Sequence, residues 1–224
     1  MKRIKICGIR TKNDILAVNE YVPDYIGFIF VPSSKRYITP EVAEELKRTL
    51  SPDIQVCGVF VNENPDKIIA IAQKGIIDYV QLHGDESIEF ITYLKQRIPH
   101  PIIKAVRVRN KQSILEADCL PCDYLLFDTY QKDAYGGTGK NFSWDLIPEK
   151  INHPYFLAGG LNETNINTAL KIPCFAYDIS GGVETNGKKD SSKICNIIKQ
   201  IRKEAKLCQK EDLGNMADNS YRKH

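Results

Sequence analysis

Eight times along the chain, a short run of apolar, β-branched or aromatic residues gives way to a stretch with helical spacing. The apolar runs are Arg3–Cys7, Tyr25–Val31, Ile54–Val61, Asp78–Leu82, Pro101–Val108, Tyr124–Phe127, Tyr155–Ala158 and Phe175–Ile179. Their cores do not alternate polar with apolar, so both faces of each strand are expected to be covered, as in a parallel sheet wrapped by helices. Helix starts are written in cap residues: Thr11, Thr39 before Pro40, Asn64 before Pro65, and Asn162 or Thr164. Between strands four and five the helix is expected over Asp85–Arg97, and the closing helix over Lys189–Lys206, where Ile194, Ile197, Ile198 and Ile201 share a face. Eight such units predict a single closed (β/α)₈ barrel over residues 1–206. An open doubly wound sheet is the competitor, and the lack of a G-x-G-x-x-G after the first strand counts against it. Residues 207–224 lack periodicity and read as a disordered polar tail.

A chain of 224 residues suits one barrel domain. With 31 Lys and Arg against 28 Asp and Glu, the net charge of +3 has no basic stripe, which argues against nucleic acid. No stretch is long and apolar enough for a membrane span, and no apolar run follows the basic start MKRIKICGIR to make a signal peptide. The seven cysteines are irregularly spaced, and the Cys119–Cys122 pair lacks a second ligand pair for zinc. A reducing, cytoplasmic setting is expected. Oligomeric state leaves no trace in the sequence.

In a barrel, chemistry sits at the carboxyl ends of the strands. Strand seven ends in Gly159-Gly160 and strand eight in Ser180-Gly181-Gly182. Glycine lets backbone N–H groups approach an anion, and each turn is expected to open onto a helix start, so the two form a phosphate cradle; the plain alternative is a pair of tight turns. Cys7, before Gly8, is a candidate base or else a small buried side chain. Asp128, after three apolar residues, is a candidate acid, or a cap. Arg36 in a Ser-rich loop can grip a carboxylate or be a solvated charge. His83 is a ligand, an acid–base group or a satisfied loop residue, and Asp178 binds a sugar hydroxyl or holds backbone. A Cys7 thiolate needs a nearby cation: Lys5 if it points inward, otherwise Arg10 or Arg36. The Gly-rich loop 129–141 is a candidate lid. These residues suit a cofactor-independent enzyme acting on a small phosphorylated substrate.

The stretches KICGIR, YIGFIFVPSSKRYI, VCGVFVN, VQLHGDE, LLFDT with GGTGKNFSW, FLAGGLNETN and DISGGVE, in this order, resemble the phosphoribosylanthranilate isomerases of tryptophan biosynthesis up to about Lys203. The resemblance implies a (β/α)₈ barrel catalysing an Amadori rearrangement without metal or organic cofactor. It implies Cys7 as general base, Asp128 as general acid and Arg36 as the grip on the anthranilate carboxylate. It also places the phosphate at Gly159-Gly160 and Ser180–Gly182, and sets His83 in the QLHG signature. The family commonly carries Ser where this chain has Gly181, so an altered phosphate affinity is expected. Other phosphosugar isomerases or epimerases, and a non-catalytic barrel, are the alternatives. Cys7 argues against the histidine-pathway isomerase, which pairs two aspartates, and a lone His83 does not supply an epimerase's metal ligands.

Overall fold

The computed structural model describes residues 2–129 and 143–203. Eight parallel strands close into a barrel in sequence order: β1 Arg3–Cys7, β2 Tyr25–Ile29, β3 Gln55–Phe60, β4 Tyr79–Leu82, β5 Ile102–Val108, β6 Tyr124–Thr129, β7 Tyr155–Leu157 and β8 Ala176–Ile179. Outward-facing apolar residues such as Ile4, Ile6, Ile26 and Phe28 pack beneath the helices, and Tyr25, Cys57, Ile103, Ala105, Leu126, Phe156 and Ala176 fill the barrel. Tyr25, Tyr79, Tyr124, Phe156 and Phe175 meet ring to ring at one end, with the Arg3 guanidinium 4.3 Å from the Phe175 ring centre. The amino end of the barrel is therefore plugged, and the opposite mouth is left for chemistry.

The first helices begin where the cap residues place them. α1 (Lys12–Tyr21) starts from a Thr11–Asp14 capping box, α2 (Pro40–Arg48) from Thr39 and α3 (Pro65–Gln73) from Asn64. α4 runs only from Ile88 to Lys95, with Ser87 as its cap. It starts later than expected because Glu86 turns back to accept from the N–H groups of Asn62 and Gly84, while Lys104 holds its other oxygen at 3.0 Å. α5 spans Lys111–Ala117.

The second half departs further from the regular repeat. A single 3₁₀ turn, Trp144–Leu146, precedes β7, and α6 is four residues long, Ile166–Ala169. The regular helix begins after Asn165, but the capping bonds are made by Asn162, as expected: its side chain accepts from the Thr164 N–H and its carbonyl from the Ile166 N–H. After β8 comes no helix but a hairpin, β9 (Glu184–Thr185) and β10 (Lys188–Lys189). Asn186-Gly187 turns it, both with positive φ, as a two-residue hairpin loop requires. The closing helix, α7, begins at residue 191 and is followed to 203. The expected tail, 207–224, and nearly all of the Gly-rich loop lie outside the described residues.

Candidate functional site

Strand register decides the centre of the site. Lys5 on β1 and Asp178 on β8 are paired across the ladder and both point inward, which brings Nζ to 2.8 Å from Oδ2. Lys5 is completely buried. Burial alone would lower its pKa, but Asp178, Cys7 and Cys57 outweigh that and hold it as an ammonium. One pleat further, Cys7 is the register partner of Gly27, and a Cβ on Gly27 would stand 2.5 Å from the Cys7 Sγ. Glycine there makes the room that the thiol occupies. Burial pushes the Cys7 thiol up, Lys5 and Lys189 pull it down, and Asp178 adds to the rise; burial prevails. Lys5 thus points inward beside the thiol, but it is shared with a carboxylate. Arg10 is not that cation: it bonds the backbone carbonyls of Lys35 and Gly187 at the surface.

Asp128 lies inside β6, not beyond it, and its buried carboxyl faces the same mouth. Oδ1 accepts from the Thr129 N–H at 2.8 Å, and Oδ2 lies 3.3 Å from Nε2 of His83. His83 meets Gln81 through its other nitrogen, Nδ1 to Nε2 at 2.9 Å. An amide N–H donating to Nδ1 leaves the ring proton on Nε2, the nitrogen beside Asp128. Gly159 (φ +87°) sits against this group, since a Cβ there would meet Thr129 Oγ1 at 2.5 Å and Asp128 Oδ1 at 3.2 Å.

The two glycine turns touch each other. Asn162 bridges to Gly182, and a Cβ on Gly182 would fall 1.9 Å from the carbonyl oxygen of Leu161. The Gly160 carbonyl is taken by the side-chain amides of Asn162 and Asn165, each at 3.0 Å, which fixes the shape of the first turn. Neither turn feeds a long helix directly. α7 carries its own anion at its start, where Asp190 accepts from the N–H groups of Ser192 and Lys193. The Ser180 hydroxyl donates to the Cys7 carbonyl at 3.1 Å, tying β8 to β1. The two turns therefore present closely packed backbone, and the Ser180 hydroxyl is committed to the Cys7 carbonyl.

Arg36 is buried and forked onto Glu184, Nε to Oε1 at 2.6 Å and Nη2 to Oε2 at 2.7 Å. Lys189 donates to the same carboxylate and to the Ser180 carbonyl, both at 2.9 Å. Burial alone would raise the Glu184 carboxyl, but Arg36 and Lys189 bring it down to about 2. Cys7, Arg36, His83, Asp128, Asp178, both glycine turns, Gln81 and Glu184 all line one cavity of about 1180 Å³. The catalytic, substrate-binding and phosphate-binding candidates picked from the sequence thus line one mouth. Gln81, Glu184 and Lys189 are additions that sequence reasoning missed. For the last two a signal existed: Asn186-Gly187 between Glu-Thr and Lys-Lys is a strong hairpin pattern. Among the described residues no group of three or more His, Cys, Asp or Glu side chains is placed to hold a metal ion.

A barrel with this mouth can be compared with known proteins. The family model for N-(5′-phosphoribosyl)anthranilate (PRA) isomerase matches residues 4–200. The chain belongs to the PRA isomerase family. A PRA isomerase of Endomicrobium trichonymphae is 45% identical over 203 residues, covering 90% of this chain and 99% of the relative. One from Lachnoclostridium phytofermentans is 43% identical over 209 residues, 88% and 95% of the two chains. The crystal structure of the Thermotoga maritima PRA isomerase superposes with a TM-score of 0.82 at 40% identity, over 90% of this chain and 99% of that one. A PRA isomerase crystallised with reduced 1-(o-carboxyphenylamino)-1-deoxyribulose 5-phosphate gives 0.76 at 37% identity, with the same coverage. The fold, barrel closure included, is that of the PRA isomerases.

Proposed function

We propose that this chain converts N-(5′-phosphoribosyl)anthranilate to 1-(2-carboxyphenylamino)-1-deoxyribulose 5-phosphate, the Amadori step of tryptophan biosynthesis, with Asp128 as general acid and Cys7 as general base. Family membership makes it an aldose–ketose isomerase. The observation that carries the residue assignment is a thiol from β1 and a carboxyl from β6 lining one cavity, with both glycine turns in its wall. On the ring of strands β7 and β8 lie between them, so the two groups reach a substrate from different sides.

Asp128, protonated, donates to the ribose ring oxygen as the C1′–O bond breaks and the anilino nitrogen forms a Schiff base with C1′. The Cys7 thiolate then removes the proton from C2′, giving an enolamine that tautomerises to the ketone. C1′ is reduced as C2′ is oxidised, so the rearrangement consumes no external oxidant or reductant. The two glycine turns hold the phosphate, and Arg36 holds the anthranilate carboxylate. Among the described residues Asp178 Oδ1 is buried without a hydrogen-bond partner, which suits it to accept from a sugar hydroxyl. His83 Nε2, 3.3 Å from Oδ2, is placed to pair with the carboxylate that Asp128 becomes once it has given up its proton. A cytoplasmic setting belongs to the same proposal: the six cysteines among the described residues are free thiols, and none of the described helices is long and apolar enough to cross a membrane.

The assay is loss of the substrate's anthranilate fluorescence. Cys7→Ser and Asp128→Asn are each expected to lower kcat by about 10²-fold or more, the usual worth of one acid–base group, with binding of a product analogue nearly intact. Arg36→Ala is expected to act chiefly on KM. A fully active Asp128→Asn enzyme would remove that residue from the mechanism.

A further inference from the structure

We propose that Glu184 is a positioning residue for substrate recognition: it sets the guanidinium of Arg36 so that the site selects a ligand whose aromatic ring carries a carboxylate. The inference rests on the reading of Arg36 as the carboxylate grip and adds the residue that makes the grip selective. Two parallel bonds, 2.6 and 2.7 Å, fix the guanidinium plane through Nε and Nη2. Nη1 is the nitrogen that this fork does not use, and it carries the hydrogens that a second carboxylate would take. The stem is held as well, since it lies so close over Gly8 that a Cβ there would stand 2.5 Å from Arg36 Cδ. Glu184 is in turn fixed by Lys189 and by the β9–β10 ladder, in which Lys189 and Glu184 are register partners. The group holds two cations and one carboxylate, with Arg36 and Glu184 in the cavity wall and Lys189 behind Glu184. One further anion would balance it.

Removing Glu184 has two opposed consequences. The charge facing the ligand rises, which favours any anion, and the guanidinium loses its orientation. Orientation dominates for two reasons. Arg36 regains rotamer freedom once the fork is gone. Burial already lowers the Lys189 pKa against the pull of Glu184, and loss of that carboxylate lowers it further, which limits the added charge. The binding site is left with a looser guanidinium and little added field.

The test titrates the full chain with the reduced product analogue, 1-(o-carboxyphenylamino)-1-deoxyribitol 5-phosphate, and with its phenyl counterpart lacking the carboxylate. The ratio of the two Kd values is read for wild type, Arg36→Lys, Glu184→Gln and Glu184→Asp, with circular dichroism as a check on folding. Wild type is expected to prefer the carboxylate ligand, and Glu184→Gln to cut that preference about tenfold, or about 1.4 kcal/mol of selective binding. Glu184→Asp keeps the charge but is one methylene too short for the fork, and it is expected to lose preference too. A preference that persists or grows in Glu184→Gln would mean that Glu184 only cancels charge, and an equal loss for both ligands would make it merely structural. A full preference in Glu184→Asp would show that charge suffices. Each of these overturns the inference while leaving the Arg36 grip standing. No preference in wild type, with none lost in Arg36→Lys, overturns the grip and this inference together.

Discussion

Burial raises the Cys7 pKa, and two opposite charges beside it act on that rise in ways open to measurement. Lys5 pulls its pKa down and Asp178 pushes it up, from neighbouring positions in the barrel interior. Replacing the cation should make the thiol harder to ionise, and replacing the anion should make it easier. At a fixed pH, iodoacetamide modification of the Cys7 peptide, followed by mass spectrometry, should slow in Lys5→Met and quicken in Asp178→Asn. Each pKa unit changes the thiolate population about tenfold. Equal rates in both variants would free Cys7 from this pair. Glu184 offers a second test at this scale. Its folded pKa, about 2, lies below the ordinary carboxylate value, so the stabilisation it contributes is complete above roughly pH 4.3 and is lost as pH falls toward 2. In urea unfolding, Glu184→Gln should therefore fall furthest below wild type at neutral pH, and the gap should close through that acid window.

At the scale of elements, the two glycine turns differ in what they tolerate. Gly182 has no space for a side chain, because a Cβ would strike the Leu161 carbonyl at 1.9 Å and the Asn162 Cα at 2.9 Å. A Cβ on Gly181 would meet, among the described residues, only Arg36 Nη2 at 3.4 Å. Gly182→Ala should therefore separate the turns and weaken competitive inhibition by inorganic phosphate, with a lower Tm. Gly181→Ser should keep the wild-type Tm and strengthen that inhibition by adding a hydroxyl to the cradle. A strong loss of phosphate inhibition in Gly181→Ser would place the anion elsewhere. The hairpin is the other informative element. Its turn was written in Asn186-Gly187, but its partnership with Arg36 was not, because 148 residues separate Glu184 from Arg36 along the chain.

For the whole molecule, stability and chemistry occupy opposite ends of the barrel. Phe156 is fully buried and touches Tyr25, Tyr124 and Phe175 in the aromatic plug, well below the mouth. Phe156→Ala should cost about 3–5 kcal/mol in urea unfolding, the usual range for emptying an aromatic core position. Its kcat, measured well below the lowered Tm, should stay near wild type. A large fall in kcat with stability retained would contradict this division of labour.

The number of units, their parallel arrangement and the position of most strands were legible because they follow from local chemistry: apolar runs, cap residues and turn glycines act over a few residues. The mouth residues could be named for the same reason, since each stands at or near the end of a recognisable strand. What tertiary structure alone decided was pairing. Closure of the ring placed Lys5 opposite Asp178, the β1–β2 register set Cys7 against the space left by Gly27, and the mouth brought the Arg36 loop onto Glu184 of the hairpin. Such contacts join residues far apart in the chain, and a sequence carries no distance between strands until the register of the sheet is set.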